Sequence, residues 1–118
     1  MIRAATILSA AMLVVLVTPA GAEETAGSVS GVEAYVGQVS GLSVDPAYGD
    51  YLSSQCTSCH GTNAASGIPA IQGQPAEAII AALFEYRTEL RENAVMRSVA
   101  SALSDEDVAA LAAHFSGQ

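Results

Sequence analysis

Both cysteines of the chain lie in one pentapeptide, Cys56-Thr57-Ser58-Cys59-His60, and no other feature narrows the fold as much. Positions i, i+3 and i+4 share one face of a helix. A helix across this stretch therefore sets two thiols and an imidazole side by side. The residues ahead of the motif support such a helix. Asp45 suits an N-cap, Pro46 suits the first helical position, and "PAYGDYLSSQC" runs on into the motif.

The remainder reads as all-α, with no strand pattern and no internal repeat. "GTNAASGIPAIQGQP" is a loop, marked by three glycines and two prolines. "AEAIIAALFEYRTELR" predicts a strong helix, with Ile79, Ile80, Leu83, Phe84 and Leu90 at helical spacing. "ENAVMRSVASAL" predicts a loop leading into a short helix, with Met96 after the polar stretch Arg91 to Asn93 and ahead of that helix. Ser104 then caps a last helix whose first turn holds Asp105, Glu106 and Asp107 and whose apolar face is Val108, Leu111, Ala112 and Phe115. Residues 23–44 are rich in Gly, Ser, Val and Ala and show no sustained stripe. They read as an extended or loosely ordered, flexible lead. The expected domains are thus 1–22, 23–44 and 45–118.

The first segment reads as an export signal. Met1-Ile2-Arg3 is a short basic start, "AATILSAAMLVVLV" an uncharged apolar run, and Ala20-Gly21-Ala22 a small-x-small cleavage site. The run is shorter than the ~20 residues a spanning helix needs, and Pro19 and Gly21 end it. Cleavage after Ala22 implies a periplasmic protein that does not span the membrane. Free thiols there tend to be oxidised, yet a disulfide between Cys56 and Cys59 closes a very small loop and constrains little of the chain. The formal net charge is −8 with no lysine, and loss of Arg3 leaves twelve acids against three arginines. That balance excludes a nucleic-acid partner. It suits solubility, or a partner with a basic or neutral docking face.

The candidate domain is small, poor in aromatics, without tryptophan and rich in alanine. Such a scaffold usually needs a staple: a disulfide, a metal or a cofactor. Three groups suit Cys56, Cys59 and His60. A thioredoxin-type dithiol needs no following histidine and sits in an α/β pattern that is missing here. A closed zinc site wants four ligands, for which Cys56, Cys59, His60 and His114 are arithmetically sufficient. The C-x-x-C-H pattern itself is the signature of covalent haem, in which two thiols form thioethers and the neighbouring imidazole reaches the iron. One haem c is the expected cofactor.

The other ligand candidates follow. Met96 is the only methionine beyond the export signal, and methionine is a common partner to histidine in cytochromes c. His114 is a rival, placed just off the apolar stripe of the last helix. Ligating histidines donate their second ring nitrogen to an acceptor, and Pro69, whose carbonyl has no competing N–H on the same residue, is the expected supplier. Ile71 is expected against the ring. Arg87 and Arg91 are candidates for a haem propionate, with Arg91 favoured, since an arginine fork suits a carboxylate. Tyr86 is a weaker candidate.

The sequence "GDYLSSQCTSCHG…GIPAIQGQPAEAIIAALFEYRTELRENAVMRSVASALSDEDVAALAAHF" resembles the small class I bacterial cytochromes c. Carriers with C-x-x-C-H-G, then P-x-I/L-x-G-Q, a long helix, and R-x-x-x-x-M before a final "LSDED(V/I)AALA" helix look most similar. Cytochrome subunits of flavocytochrome c sulfide dehydrogenases share this layout. The resemblance covers Pro46 to Gln118. It implies helices wrapped around one haem, thioethers at Cys56 and Cys59, His60 as proximal and Met96 as distal ligand, and a Pro69 carbonyl that orients His60. It places Gly49 and Phe115 where the first and last helices cross. Leu90 stands where many relatives turn with a glycine, and His114 where relatives often carry an aromatic. Residues 23–44 have no counterpart in the resemblance.

The function expected is single-electron transfer, without bond chemistry, between redox partner proteins such as a dehydrogenase subunit or a terminal oxidase. Two other classes are weighed against it. An open-site haem protein, binding a small gas or acting as a peroxidase-like enzyme, requires Met96 to be weak or absent as a ligand. A thiol-redox protein requires Cys56 and Cys59 to be free of haem.

Overall fold

The computed structural model describes Val15 and residues 21–118. The described residues form five helices and no strand: α1 Gly21–Ser40, α2 Pro46–His60, α3 Ala76–Arg87, α4 Ala94–Ser101 and α5 Asp105–Ser116. The export signal expected at 1–22 lies outside the described residues apart from Val15, Gly21 and Ala22. Among the described residues, no helix is long and apolar enough to cross a membrane.

The helix starts follow from local chemistry. Asp45 is extended (φ −91°, ψ 117°), its side chain accepts from the Ala47 N–H at 2.9 Å, and Pro46 opens α2. At α5 the Ser104 hydroxyl accepts from the Asp107 N–H while the Asp107 carboxylate accepts from the Ser104 N–H, a reciprocal capping box.

The core is a small cluster built on α3 and α5. Ile79, Ile80 and Leu83 meet Val108, Leu111, Ala112 and Phe115, joined by Ala100 from α4 and Val39 from α1. α2 crosses α5 at Gly49, where a Cβ would stand 2.7 Å from the Ala110 carbonyl oxygen. Only glycine permits that approach.

Three expectations are corrected. Residues 23–44 are not an extended lead: α1 is helical to Ser40 and packs on α3 and α5. Its buried face is Val32, Tyr35, Val36 and Val39, at helical spacing, with Val39 fully buried. Gly27, Gly31 and Gly37 dilute that stripe, and each costs about 1 kcal/mol relative to alanine in a helix. Tertiary burial, rather than propensity, holds α1.

The helix from Ala76 stops at Arg87 rather than Arg91, because Glu89 turns into the left-handed region (φ 63°). Helical periodicity ends with it, so Leu90 leaves the apolar stripe and is 48% exposed. Glu89, not Leu90, is therefore the residue that makes the turn a glycine would favour. Last, Met96 lies inside the first turn of α4 rather than in a loop before it, since the Asn93 side chain caps that helix by accepting from the Met96 N–H at 2.9 Å.

Candidate functional site

His60 closes α2, and its imidazole Nδ1 stands 2.7 Å from the Pro69 carbonyl oxygen. A carbonyl only accepts, so Nδ1 is the donor in this contact, which leaves Nε2 as the nitrogen available to bind a metal. The loop that presents Pro69 is tied down on both sides. The Gln72 side chain donates to the His60 carbonyl at 2.8 Å and accepts from the Ile71 N–H at 3.2 Å. Gly73, left-handed at φ 72°, donates its N–H to the Phe115 carbonyl of α5 at 2.8 Å. Gln72 is a site residue that sequence reasoning missed. It stands within the Pro-x-Ile-x-Gly-Gln run, but nothing in the run says that its amide returns to the histidine.

Cys56 and Cys59 are free thiols one helical turn apart, Cys56 half-buried and Cys59 exposed. Cys56 packs against the edge of the core, as do Leu52 and Ile71. Burial first, then the neighbouring Cys59, pushes the Cys56 thiol up. Reactive redox cysteines are activated in the opposite direction, so the environment does not favour dithiol chemistry. The zinc arithmetic also fails in space. Among the described residues, no group of three or more His, Cys, Asp or Glu is placed to hold a metal ion. His114 instead faces the α2–α5 crossing beside Gly49, edge-on to Phe115, and 2.6 Å from the Gln118 amide.

Met96 is partly buried against the core from the α4 side. The helix contacts leave a gap in the architecture. Among the described residues, α2 packs on α5 alone and α4 packs on α3 alone, so the helix carrying the thiols and imidazole never meets the helix carrying the thioether. Large apolar side chains stay uncovered on both sides: Ile68, next to Pro69, is 37% exposed, and Val95 and Val99 of α4 are 69% and 42% exposed. A flat apolar group bonded to Cys56 and Cys59 and ligated at one end by His60 fits this donor set. It also supplies the staple that the small core lacks.

The arginines divide differently from expectation. Arg87 is committed to the protein itself. Its guanidinium donates to the carbonyls of Ala100 (3.3 Å) and Leu103 (3.0 Å) and pairs with Asp105 at 3.4 Å. Arg91 pairs with Glu85 and lies over the Tyr86 ring, 5.3 Å from its centroid. It remains half-exposed, and the structure does not bring it to His60, Pro69 or the cysteines. Arg97 pairs with Glu89.

Residues 45–115 match the family model described as "Cytochrome C oxidase, cbb3-type, subunit III". The chain is 36% identical over 80 residues to "Cytochrome c-554(548)" of Halomonas halodenitrificans, a match covering 63% of this chain and 96% of that protein. It is 36% identical over 69 residues to the "Cytochrome subunit of sulfide dehydrogenase" of Chlorobaculum tepidum, covering 57% of this chain and 63% of that one. It is 34% identical over 70 residues to "Cytochrome c4" of Azotobacter vinelandii, covering 52% and 33%. The chain thus spans a third of the length of the cytochrome c4 and less than two thirds of the sulfide dehydrogenase subunit. The family match begins at residue 45, so α1 lies wholly outside it.

Proposed function

The chain belongs to this cytochrome c family, as a small class I member that binds haem c and takes part in electron transfer, and from that premise we propose how its residues serve. Cys56 and Cys59 hold the haem through two thioethers. His60 is the proximal ligand and Met96 the distal one. The 2.7 Å contact between His60 Nδ1 and the Pro69 carbonyl carries this reading. It leaves Nε2 as the only ring nitrogen free to ligate, and it holds the ring in one orientation.

Bound haem supplies a one-electron ferric/ferrous couple. The protein's part is to keep that couple closed. His60 and Met96 would both ligate the haem iron and leave it no place for a substrate. A thioether ligand favours the reduced state and raises the potential. Ile71 would pack beside the haem, and Arg91, paired with Glu85 here, would hold a haem propionate. The Gln72 bond to His60 and the Gly73 bond to α5 hold the Pro69 carbonyl in place against His60.

The protein is exported by residues 1–22 and works in the periplasm. It passes single electrons between redox proteins, as a free carrier, as a partner of a terminal oxidase, or as the haem subunit of a dehydrogenase. The similarity to a sulfide dehydrogenase subunit supports the last role. Twelve acids against three arginines in residues 23–118 suit weak, charge-guided docking to a basic face.

Voltammetry of the exported, haem-loaded protein tests the proposal. A single reversible one-electron wave that carbon monoxide does not move is the expected result. A wave that carbon monoxide shifts overturns the closed iron and favours an open-site haem protein.

A further inference from the structure

α4, which carries Met96, is poorly held by its own means. It has eight residues, well short of the ~12–15 at which isolated helices become marginal. It packs on α3 alone, and Val95 and Val99 on its surface are exposed. Its firm anchors are the fully buried Ala100 and the guanidinium of Arg87. Arg87 bonds the carbonyls of Ala100 and Leu103, at and just beyond the C-terminus of α4. The Ala100 carbonyl also accepts from the Leu103 N–H at 3.3 Å, and a cation is favoured at this end of the helix.

Arg87 in turn is held from α1. Tyr35 stacks on Phe84 at 4.5 Å between centroids, and the Arg87 guanidinium lies 5.4 Å from the centroid of the Tyr35 ring. The Tyr35 hydroxyl donates to Asp105 Oδ1 at 2.7 Å, and Gln38 donates to Asp105 Oδ2 at 3.1 Å. Asp105 is the acid that pairs with Arg87. One α1 side chain thus covers the guanidinium, and its hydroxyl orients the carboxylate opposite. The match to the Halomonas cytochrome covers 96% of that protein and only 63% of this chain, and α1 lies outside the family match.

We infer that Tyr35 is a positioning residue for Met96: through Asp105 and Arg87 it locks the C-terminal end of α4, so α1 limits how often the thioether leaves the iron. This rests on the reading of Met96 as distal ligand. The route is short and contiguous. Tyr35 fixes Asp105, Asp105 fixes Arg87, Arg87 closes α4, and Ala100 lies one turn from Met96.

The rate at which imidazole enters the ferric, haem-loaded full chain measures how often Met96 leaves. It is followed by loss of the methionine–iron charge-transfer band in the red. Tyr35→Phe keeps the stack and removes the hydroxyl bond to a charged acceptor. It is expected to speed entry about three- to tenfold. Gly37→Ala should act in the opposite sense. Its added Cβ meets no atom within 4 Å, so it strengthens α1 without a clash and slows entry by up to about fivefold. Ile79→Val, in the core but outside the network, serves as the control at matched loss of global stability. Faster entry in Tyr35→Phe with no such change in Ile79→Val supports the inference. Equal changes in both, or none in either, overturn it. A wild type that has no methionine–iron band at all instead overturns the Met96 reading, and the inference falls with it.

Discussion

A Cβ placed on Gly49 would stand 2.7 Å from the carbonyl oxygen of Ala110 and 3.2 Å from the Cβ of His114. The backbones of α2 and α5 are therefore in direct contact. Because α2 packs on no other helix among the described residues, this crossing sets where Cys56, Cys59 and His60 lie relative to the core. Gly49→Ala has to push the helices apart. Overpacking of this kind costs about 1–3 kcal/mol. Thermal unfolding of the haem-loaded variant should show a lowered Tm, and an unchanged Tm would mean that the crossing is looser than described.

Glu89 sits in the left-handed region at φ 63°, where a side chain costs about 1–2 kcal/mol. Its backbone N–H donates to the Tyr86 carbonyl at 3.3 Å, and its side chain pairs with Arg97, the two side chains being 66% and 55% exposed. Exposed pairs are worth at most about 1 kcal/mol. Glu89→Ala loses the pair and keeps the strain. Glu89→Gly loses the pair and relieves the strain. The glycine variant should be more stable than the alanine variant by about 1 kcal/mol in denaturant titration. An alanine variant as stable as the glycine one contradicts the account of this turn.

Asp107 predicts an acid limb of stability. The Tyr48 hydroxyl donates to it at 2.6 Å and the Ser104 N–H at 2.9 Å. The Tyr48 bond first, then the Ser104 backbone bond, hold its carboxyl below the usual aspartate range. A depressed folded pKa contributes stability that is complete above the unfolded value, about 3.9, and is lost as the pH falls below it toward the folded value. Between pH 6 and pH 3 the wild type should therefore lose more stability than Asp107→Asn, which has no charge there to lose. Parallel pH profiles would contradict this.

Much of this structure was legible because it rests on short-range chemistry. Asp45-Pro46 and Ser104 mark two helix starts by the hydrogen bonds their side chains make within three residues, and both caps are present. The thiols and imidazole share a face because of spacing alone. What escaped depends on partners distant in sequence. The face of α1 is built from Val32, Tyr35, Val36 and Val39 between glycines, and it becomes a stripe only when α3 and α5 are there to cover it. Arg87 looks like any cation at a helix end until Asp105, 18 residues on, and the α4 carbonyls claim it. The left-handed turn at Glu89 carries no glycine or asparagine to announce it.

The central claim is that Met96 closes the iron opposite His60, and the absorption spectrum tests it most directly. The ferric and ferrous spectra of the exported, haem-loaded protein are recorded beside those of Met96→Ala. The account predicts a low-spin wild type with a methionine–iron band that the variant loses, together with a variant that binds carbon monoxide readily. A wild type that is high-spin, binds carbon monoxide as it stands and is unchanged by the substitution would contradict it.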